Sequence, residues 1–357
     1  MEPKRDEILR ALEGVIDPEL RKPVTELDMV RDVEIDGGDV RVTIALTVAG
    51  CPLRDSFQEQ VTNVMREVPG VERVALGFDV MTAEERQALT TKLRGGLKER
   101  SKGLSLDAST RVLAVCSGKG GVGKSTLAAN LAVALTQLGK TVGVLDADVY
   151  GHSIPHILGI QQKPVLVDKM IVPPVKHDLK LMSIGFFLDD NQPVMWRGPM
   201  LHRALEQFLS DVHWGELEVL VVDMPPGTGD VAISLGQLLP RAETIVVTTP
   251  QPAAQEVASR AGVMAQKTGM RLVGVVENMT GEVFGSGGGD RLAEELGIPL
   301  LGRVPLDPLL RESGDAGEPL MSTDPEADSA RELGRIAEAI LELDRGSIVK
   351  PLTLVSR

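Results

Sequence analysis

The chain has 357 residues, of which 43% are hydrophobic and only 3% aromatic, and its formal net charge is −13. This length predicts two domains, or one large domain with an appendage, and the negative charge argues against a protein that coats nucleic acid. Residues 1–7 are charged with no apolar segment behind them, and no apolar run is long enough to span a membrane. We therefore expect a cytoplasmic protein that binds neither membranes nor nucleic acid.

Residues 1 to about 80 predict a small α/β domain. Apolar residues at helical spacing open it, and alternating apolar residues on both sides of a turn at 36–39 predict a β-hairpin. A second helix and a third strand are expected to complete it, and the charged stretch that follows predicts a short helix and a linker. We expect domains at residues 1–82 and 110–357, joined by a linker over 83–109.

From Arg111 onward, apolar strands alternate with helices, which is typical of a doubly wound, mostly parallel sheet covered on both faces. The predicted strands are 111–116, 142–146, 219–223, 243–248, 271–276 and 299–303. The proline-rich stretch 163–200 predicts turns and a short strand near 179–184, and a last helix is expected over about 324–343.

A glycine-rich loop lies between the first of these strands and a helix rich in alanine and leucine. It reads Gly118-Lys119-Gly120-Gly121-Val122-Gly123-Lys124-Ser125-Thr126. Strand, glycine turn and helix in this order are the context of a phosphate-binding loop, in which backbone N–H groups and the helix dipole face the phosphates. We expect Lys124 to reach the terminal phosphates and Ser125 to ligate Mg²⁺. A chance glycine turn is the alternative.

Polar side chains end several later strands. Asp146 and Asp148 follow the second strand, and Asp223 ends the third. The carboxyl ends of parallel strands face the ligand crevice, so one of the first two is expected to join the Mg²⁺ shell while the other orients the attacking water. A pair of solvated loop aspartates is the alternative for Asp146 and Asp148. Asp223 is expected to order Mg²⁺, with an ordinary strand-to-helix loop as its alternative. Asn278 follows the fifth strand. Its side-chain amide is a candidate for hydrogen bonds to the edge of an adenine, and an ordinary turn residue is the alternative.

At these residues the sequence resembles a known family. The loop with its extra Lys119 resembles the deviant Walker A loop of the ATPases that include MinD, ParA, ArsA and the nitrogenase iron proteins. A narrower resemblance, to the Mrp/ApbC/Nbp35 group of iron–sulfur cluster carrier ATPases, rests on segments 146–155, 195–199, 223–230, 277–279 and 284–289. The first 80 residues, with Asp17-Pro18-Glu19 and Gly50-Cys51-Pro52, resemble a MIP18/SufT-type domain.

The resemblance implies a homodimer that binds ATP and Mg²⁺ and hydrolyses ATP. It also implies a part in the assembly of iron–sulfur clusters or their transfer to apo-proteins, with apo client proteins or other assembly factors as partners. In the family, the residue matching Lys119 reaches the partner subunit's nucleotide, and the residue matching Asn278 belongs to the adenine pocket. Asp146, Asp148 and Asp223 match the Mg²⁺ and switch positions.

One departure from the family concerns cysteine. The family carries Cys-x-x-Cys between the segments that match 277–279 and 284–289, but residues 280–283 contain no cysteine here, so the family's cluster site is expected to be absent. Cys116 ends a buried strand and is expected to be inert. Cys51 lies at a predicted helix start, where it is a candidate ligand of a labile cluster, a reactive thiol or a small packed residue.

Two other functions stay open on the sequence. A nucleotide-gated adaptor that carries no cluster fits the missing motif. A positioning ATPase of the MinD or ParA type would end in a basic amphipathic helix, whereas residues 339–345 are acidic, which disfavours that function.

Overall fold

The computed structural model of the chain describes residues 3–48, 54–95, 106–149, 151–188 and 198–343. These residues form a small N-terminal domain on a three-stranded sheet and a large P-loop domain on an eight-stranded sheet. In the part of the chain that the structure describes, no helix combines the length and apolar character needed to cross a membrane.

The first six elements belong to the N-terminal domain and the segment that leaves it. They are α1 Arg5–Leu12, β1 Val30–Asp36, β2 Asp39–Leu46, α2 Arg54–Met65, β3 Arg73–Val80 and α3 Ala83–Gly95. β1 and β2 form the predicted antiparallel hairpin, and β3 joins β2 in parallel. Alternate residues of β2 are buried against the apolar faces of α1 and α2, which gives the domain a core of its own.

The P-loop domain alternates strands and helices as the sequence predicts. Its elements are β4 Arg111–Ser117, α4 Lys124–Gln137, β5 Val142–Asp146, α5 Ile154–Ile157, β6 Val165–Val167, β7 Met170–Val172, β8 Val175–Lys176, β9 Leu179–Ser183, α6 Gly198–Ser210, β10 Val219–Asp223, α7 Asp230–Leu238, β11 Glu243–Thr248, α8 Pro252–Lys267, β12 Arg271–Thr280, α9 Gly288–Leu296, β13 Leu300–Pro305, α10 Pro308–Asp315, α11 Leu320–Thr323 and α12 Asp328–Glu342. The predicted strands are confirmed at their predicted places.

The large sheet has the order β13-β12-β11-β4-β10-β5-β9-β8, and all its pairs are parallel except β8 with β9. One face packs on α4, α5 and α12, and the other on α6, α7, α8 and α9. Because helices cover both faces, β5, β10 and β11 are buried along their whole length. The chain extends the sheet in both directions from β4, so the ligand crevice is expected at the carboxyl ends of β4, β5 and β10.

A small hairpin, β6 with β7, leaves the large sheet and packs against the N-terminal domain. Its Val167, Met170 and Val172 are buried in one cluster with Leu89 and Leu93 of α3. The sequence predicted only turns here, because three-residue strands carry too little periodicity to be recognised. α3 itself occupies the first part of the predicted linker, and the domain limits at 82 and 110 stay a prediction.

Candidate nucleotide-binding site

The glycines of the loop are required by its geometry. Gly121 and Gly123 both have φ 80°, a left-handed conformation that other residues adopt only with strain. A Cβ on Gly118 would lie 2.0 Å from the carbonyl carbon of Val257 in α8. A Cβ on Gly123 would lie 2.3 Å from the side-chain amide nitrogen of Asn278. The loop between β4 and α4 is therefore wedged between two other elements of the domain.

Lys124 and Ser125, the first residues of α4, converge on one carboxylate. The Lys124 Nζ donates to Asp223 Oδ1 at 2.6 Å, and the Ser125 hydroxyl donates to Asp223 Oδ2 at 2.6 Å. Lys124 is only 6% exposed. A serine hydroxyl beside a carboxylate is the pair of hard oxygen donors that Mg²⁺ prefers, so these two side chains fit a magnesium site.

Asp146 and Asp223 lie side by side because β5 and β10 pair in register at these two residues. Both are fully buried. Burial raises the pKa of Asp146, and the negative charge of Asp223 raises it further. Burial also raises the pKa of Asp223, while the Lys124 ammonium opposes that effect. Two buried carboxyl groups next to one ammonium make a site that favours an additional cation.

The loop after β5 brings Asp148 to the same place. Its carboxylate lies 3.4 Å from the Lys124 Nζ and accepts a hydrogen bond from the backbone N–H of Gly151 at 3.0 Å. Its own backbone N–H donates to Asp146 Oδ1 at 3.2 Å. The structure therefore brings together Lys124, Ser125, Asp146, Asp148 and Asp223, as expected for residues beside the phosphate loop and at the carboxyl ends of parallel strands. Their individual roles stay predictions.

Asn278 lies against the loop itself. Its side-chain amide donates to the carbonyl oxygen of Val122 at 2.8 Å, and the residue is 3% exposed. Met279, which follows it, has φ 60°. Asn278 thus joins the carboxyl end of β12 to the phosphate loop. Its expected place in an adenine pocket stays a prediction.

Lys119 lies on the outer side of the loop, with its side chain exposed, as are Gly120 and Gly121. Its backbone is fixed by the Ser117 hydroxyl, which donates to the Lys119 carbonyl oxygen at 3.0 Å. Ser117 also accepts, through its own carbonyl oxygen, the N–H of Gly227 at 2.8 Å. The loop and the turn after β10 are therefore tied together, while the Lys119 ammonium remains accessible to a second molecule.

Two polar residues of the site had no role in the sequence prediction. Ser183 ends β9, and its hydroxyl donates to Asp146 Oδ2 at 2.9 Å. Glu277 is fully buried near the end of β12, and its carboxylate accepts the N–H groups of Gly287 at 3.2 Å and Gly288 at 2.6 Å. Both lie at the carboxyl ends of predicted parallel strands, so the rule that found Asp146 and Asp223 also applied to them.

A family model described as NUBPL iron-transfer P-loop NTPase matches residues 108–341. The chain belongs to this family. A second model, described as iron-sulfur cluster assembly protein, matches residues 5–76. The family resemblance that the motifs indicated is therefore confirmed for both matched parts of the chain, residues 5–76 and 108–341.

Curated relatives extend along nearly the whole chain. The iron-sulfur cluster carrier protein of Mycobacterium leprae is 51% identical over 352 residues, which cover 94% of this chain and 92% of the relative. The protein of the same description from Bacillus subtilis is 44% identical over 315 residues, covering 85% and 88%.

Solved structures resemble the P-loop domain. A nucleotide-binding protein from Archaeoglobus fulgidus in complex with ADP is 34% identical, with a TM-score of 0.51, covering 68% of this chain and 93% of that one. MinD from Pyrococcus horikoshii with Mg-ADP has a TM-score of 0.53 at 24% identity, covering 65% and 96%, and shows the shared fold alone. The predicted fold class of this NTPase family member is thus confirmed.

This family member has only two cysteines, Cys51 and Cys116, as candidate ligands for a cluster. Cys51 lies outside the described residues. Cys116 is 5% exposed, and burial raises its pKa to about 12, which disfavours the thiolate that a cluster ligand requires. Its expected inertness stays a prediction. Residues 280–283 form part of a tight turn in which Gly281 and Gly285 exchange backbone hydrogen bonds of 3.0 and 2.7 Å.

Proposed function

We propose that the protein binds ATP with Mg²⁺ at the loop 118–126, hydrolyses it, and uses this cycle in assembling iron–sulfur clusters or transferring them to apo-proteins. The observation that carries the proposal is the convergence of Lys124 and Ser125 on Asp223 at the start of α4. The relatives named iron-sulfur cluster carrier protein support the cluster part.

The side chains have separate tasks in this proposal. Lys124 leaves Asp223 and donates to the terminal phosphates, which neutralises charge that builds up during transfer. Ser125 and Asp223 would hold Mg²⁺, which would supply positive charge at the phosphates. Asp148 and Asp146 lie next to Lys124 and order the attacking water and the metal's water shell.

A homodimer fits the exposed position of Lys119 on the loop. We propose that Lys119 reaches the nucleotide of a second subunit and stabilises the transition state there, as an arginine finger does in other NTPases. Apo iron–sulfur proteins or other assembly factors are the further partners. We place the protein in the cytoplasm, with a domain of residues 1–82, a linker of 83–109 and an ATPase domain of 110–357. The matches at 5–76 and 108–341 support this division.

A second function is favoured by a specific observation. Residues 280–283 carry no thiol, and Cys116 is buried and protonated. Since cluster ligation generally takes four thiolates, an ATPase domain with this composition fits a nucleotide-gated adaptor that carries no cluster itself. In the carrier proposal, any cluster is labile cargo that depends on Cys51 and on thiols from outside.

Anaerobic reconstitution of the full chain with iron and sulfide tests the two functions. For a carrier, we expect a labile cluster by visible absorbance and bound iron, which disappears in Cys51→Ala and persists in the matched control Cys116→Ala. If no variant, including wild type, binds iron, the adaptor function is supported. A cluster that survives Cys51→Ala and is lost in Cys116→Ala would contradict the assignment of Cys116 as inert.

A further inference from the structure

A lysine of the P-loop domain is buried where that domain meets the N-terminal domain. Lys180 lies on β9, is 1% exposed, and donates from its Nζ to the carbonyl oxygen of His213 at 3.1 Å. Burying an ammonium group costs free energy unless charges compensate it. The nucleotide chemistry described above does not use this residue, so its charge needs another explanation.

The compensating charges come from the N-terminal domain. Asp17 and Glu19 are 4% and 8% exposed, and Leu20 and Arg21 of the same turn line one cavity with Lys180. Burial and the positive charge of Arg21 lower the pKa of Lys180 to about 7, and the negative charges of Asp17 and Glu19 oppose this effect. The Asp17 carboxylate also accepts the backbone N–H groups of Glu19 at 2.9 Å and Leu20 at 2.8 Å, which holds the turn closed. Arg21, in the same turn, donates to the carbonyl oxygen of Asp178 at 2.5 Å. The turn formed by residues 17–21 therefore contacts the chain at the beginning of β9.

The other end of β9 belongs to the nucleotide site. Ser183 is fully buried, donates to Asp146 Oδ2 at 2.9 Å, and accepts the N–H of Gly185 at 3.0 Å. β9 pairs with β5 so that Ser183 is level with Asp146 and Lys180 is level with Gly143. Three residues of extended strand, about 10 Å, separate the two contacts. A single short strand thus touches both the N-terminal domain and the acid pair.

Nucleotide binding must rearrange the acid pair. In this structure Asp223 holds both Lys124 and Ser125, and it lies beside Asp146. A phosphate contact by Lys124 and Mg²⁺ at Asp223, as proposed above, would change the charges next to the two buried carboxyl groups. Because the Ser183 hydroxyl donates to Asp146, a change in the charge or position of the Asp146 carboxylate would act directly on the end of β9.

We propose that Ser183 is a positioning residue for Asp146, and that β9 couples the nucleotide site to the seating of the turn 17–21 on Lys180. The proposal rests on the proposed binding of ATP. Its two-state element is the turn, which is either seated on Lys180 or released from it, and both the nucleotide and the charge cluster bias that equilibrium. In this proposal the N-terminal domain responds to the nucleotide site through β9, without a direct contact with Asp146.

Hydrogen–deuterium exchange of the full chain, with and without Mg²⁺ and a non-hydrolysable ATP analogue, tests the coupling. In the wild type, exchange should slow at residues 118–126 and change about threefold or more at residues 17–24. Ser183→Ala removes the hydroxyl without adding volume, and it should keep the response at 118–126 while losing that at 17–24. The matched control Ser313→Ala, which removes a hydrogen bond to the Leu310 carbonyl oxygen in α10, should keep both responses.

Lys180→Met provides a second variant that keeps the apolar stem and removes the charge. Exchange at 17–24 should be fast with or without nucleotide, while Lys176→Met on the neighbouring β8 should behave as wild type. A wild-type chain that responds at 118–126 but not at 17–24 would overturn the proposal, as would a full response at 17–24 in Ser183→Ala. If 118–126 does not respond and calorimetry detects no binding of the analogue, the proposed ATP binding fails, and the coupling fails with it.

Discussion

At the scale of single residues, Asp223 organises the site because it binds the first two side chains of α4. Its two carboxylate oxygens are shared between the Lys124 ammonium and the Ser125 hydroxyl. A buried lysine is thereby hydrogen-bonded to an acidic partner. In the proposed function, the same residues bind phosphate and metal.

We expect Lys124→Ala to reduce ATP affinity at least about tenfold, or ~1.4 kcal/mol, because the loop loses the ammonium at the terminal phosphates. Isothermal titration calorimetry measures the change. Lys140→Ala is the control, since Lys140 pairs with Glu218 at the opposite end of β5 and should leave affinity unchanged. Equal affinity of wild type and Lys124→Ala would show that the loop assignment is wrong.

Site residues could be predicted from the sequence where a motif, or their place at the end of a single strand, identifies them. Lys124, Ser125, Asp146 and Asp223 follow from a motif and from the rule that ligands lie at the carboxyl ends of parallel strands. The bond from Ser183 to Asp146 was not predictable, because it depends on β9 pairing with β5 in one particular register. Asn278 illustrates the same limit, since its contact with the Val122 carbonyl depends on how β12 approaches the loop.

At the scale of elements, the loop and α8 approach each other closely at Gly118. The loop passes the backbone of Val257 and Ala258 at the distance that only a glycine at 118 allows. The motif predicts this glycine, but the element that it approaches lies more than a hundred residues further along the chain, so the reason for it appears only in the structure.

We expect Gly118→Ala to destabilise the P-loop domain by about 1–3 kcal/mol, because its Cβ would overlap the backbone of α8 and force the loop to move. Thermal unfolding of the nucleotide-free protein measures the loss. Gly120→Ala is the matched control, since a Cβ there would meet nothing within 4 Å. Similar melting temperatures for the two variants would contradict the packing argument.

At the scale of the whole molecule, charge is buried between the two domains, and this makes stability depend on pH. Burial raises the pKa of Glu19 to about 7, with Asp17 adding to the shift and Lys180 opposing it. The folded state then binds a proton that the unfolded state releases above the ordinary glutamate pKa of 4.5. The stabilisation from Glu19 is therefore complete below about pH 4.5 and is lost as the pH rises through about 7.

We expect the stability of wild type relative to Glu19→Gln to fall by up to about 3 kcal/mol between pH 4.5 and 7.5, because glutamine does not ionise. Urea unfolding at several pH values measures it. Lys180, whose pKa burial lowers to about 7, titrates in the same range and interacts with Glu19, so the difference between the two chains includes the effect of Glu19 on Lys180. Glu26→Gln, at an exposed residue paired with Lys22, should show no such trend.

The proposed dimer makes a prediction about Lys119 at the same scale. Lys119→Ala should spare ATP binding and slow hydrolysis, because the lysine acts on the other subunit's nucleotide. A mixture of Lys119→Ala and Asp146→Asn should hydrolyse ATP faster than either variant alone, since the heterodimer has one site with an intact Asp146 and a lysine from its partner. A wild-type rate per molecule that does not depend on protein concentration would argue against catalysis by a dimer.

The contact between α3 and the hairpin β6–β7 has a consequence for synthesis of the chain. Thr90 donates to the carbonyl oxygen of Val167 at 3.3 Å across a separation of 77 residues. At a translation rate of about 5–20 residues per second, the hairpin leaves the ribosome roughly 4 to 15 s after α3. During that delay Leu89 and Leu93 lack Val167, Met170 and Val172, which lie in the same buried cluster. The nascent N-terminal domain therefore exposes an apolar surface that the second domain must later cover, which makes this interval a point where chaperones can act.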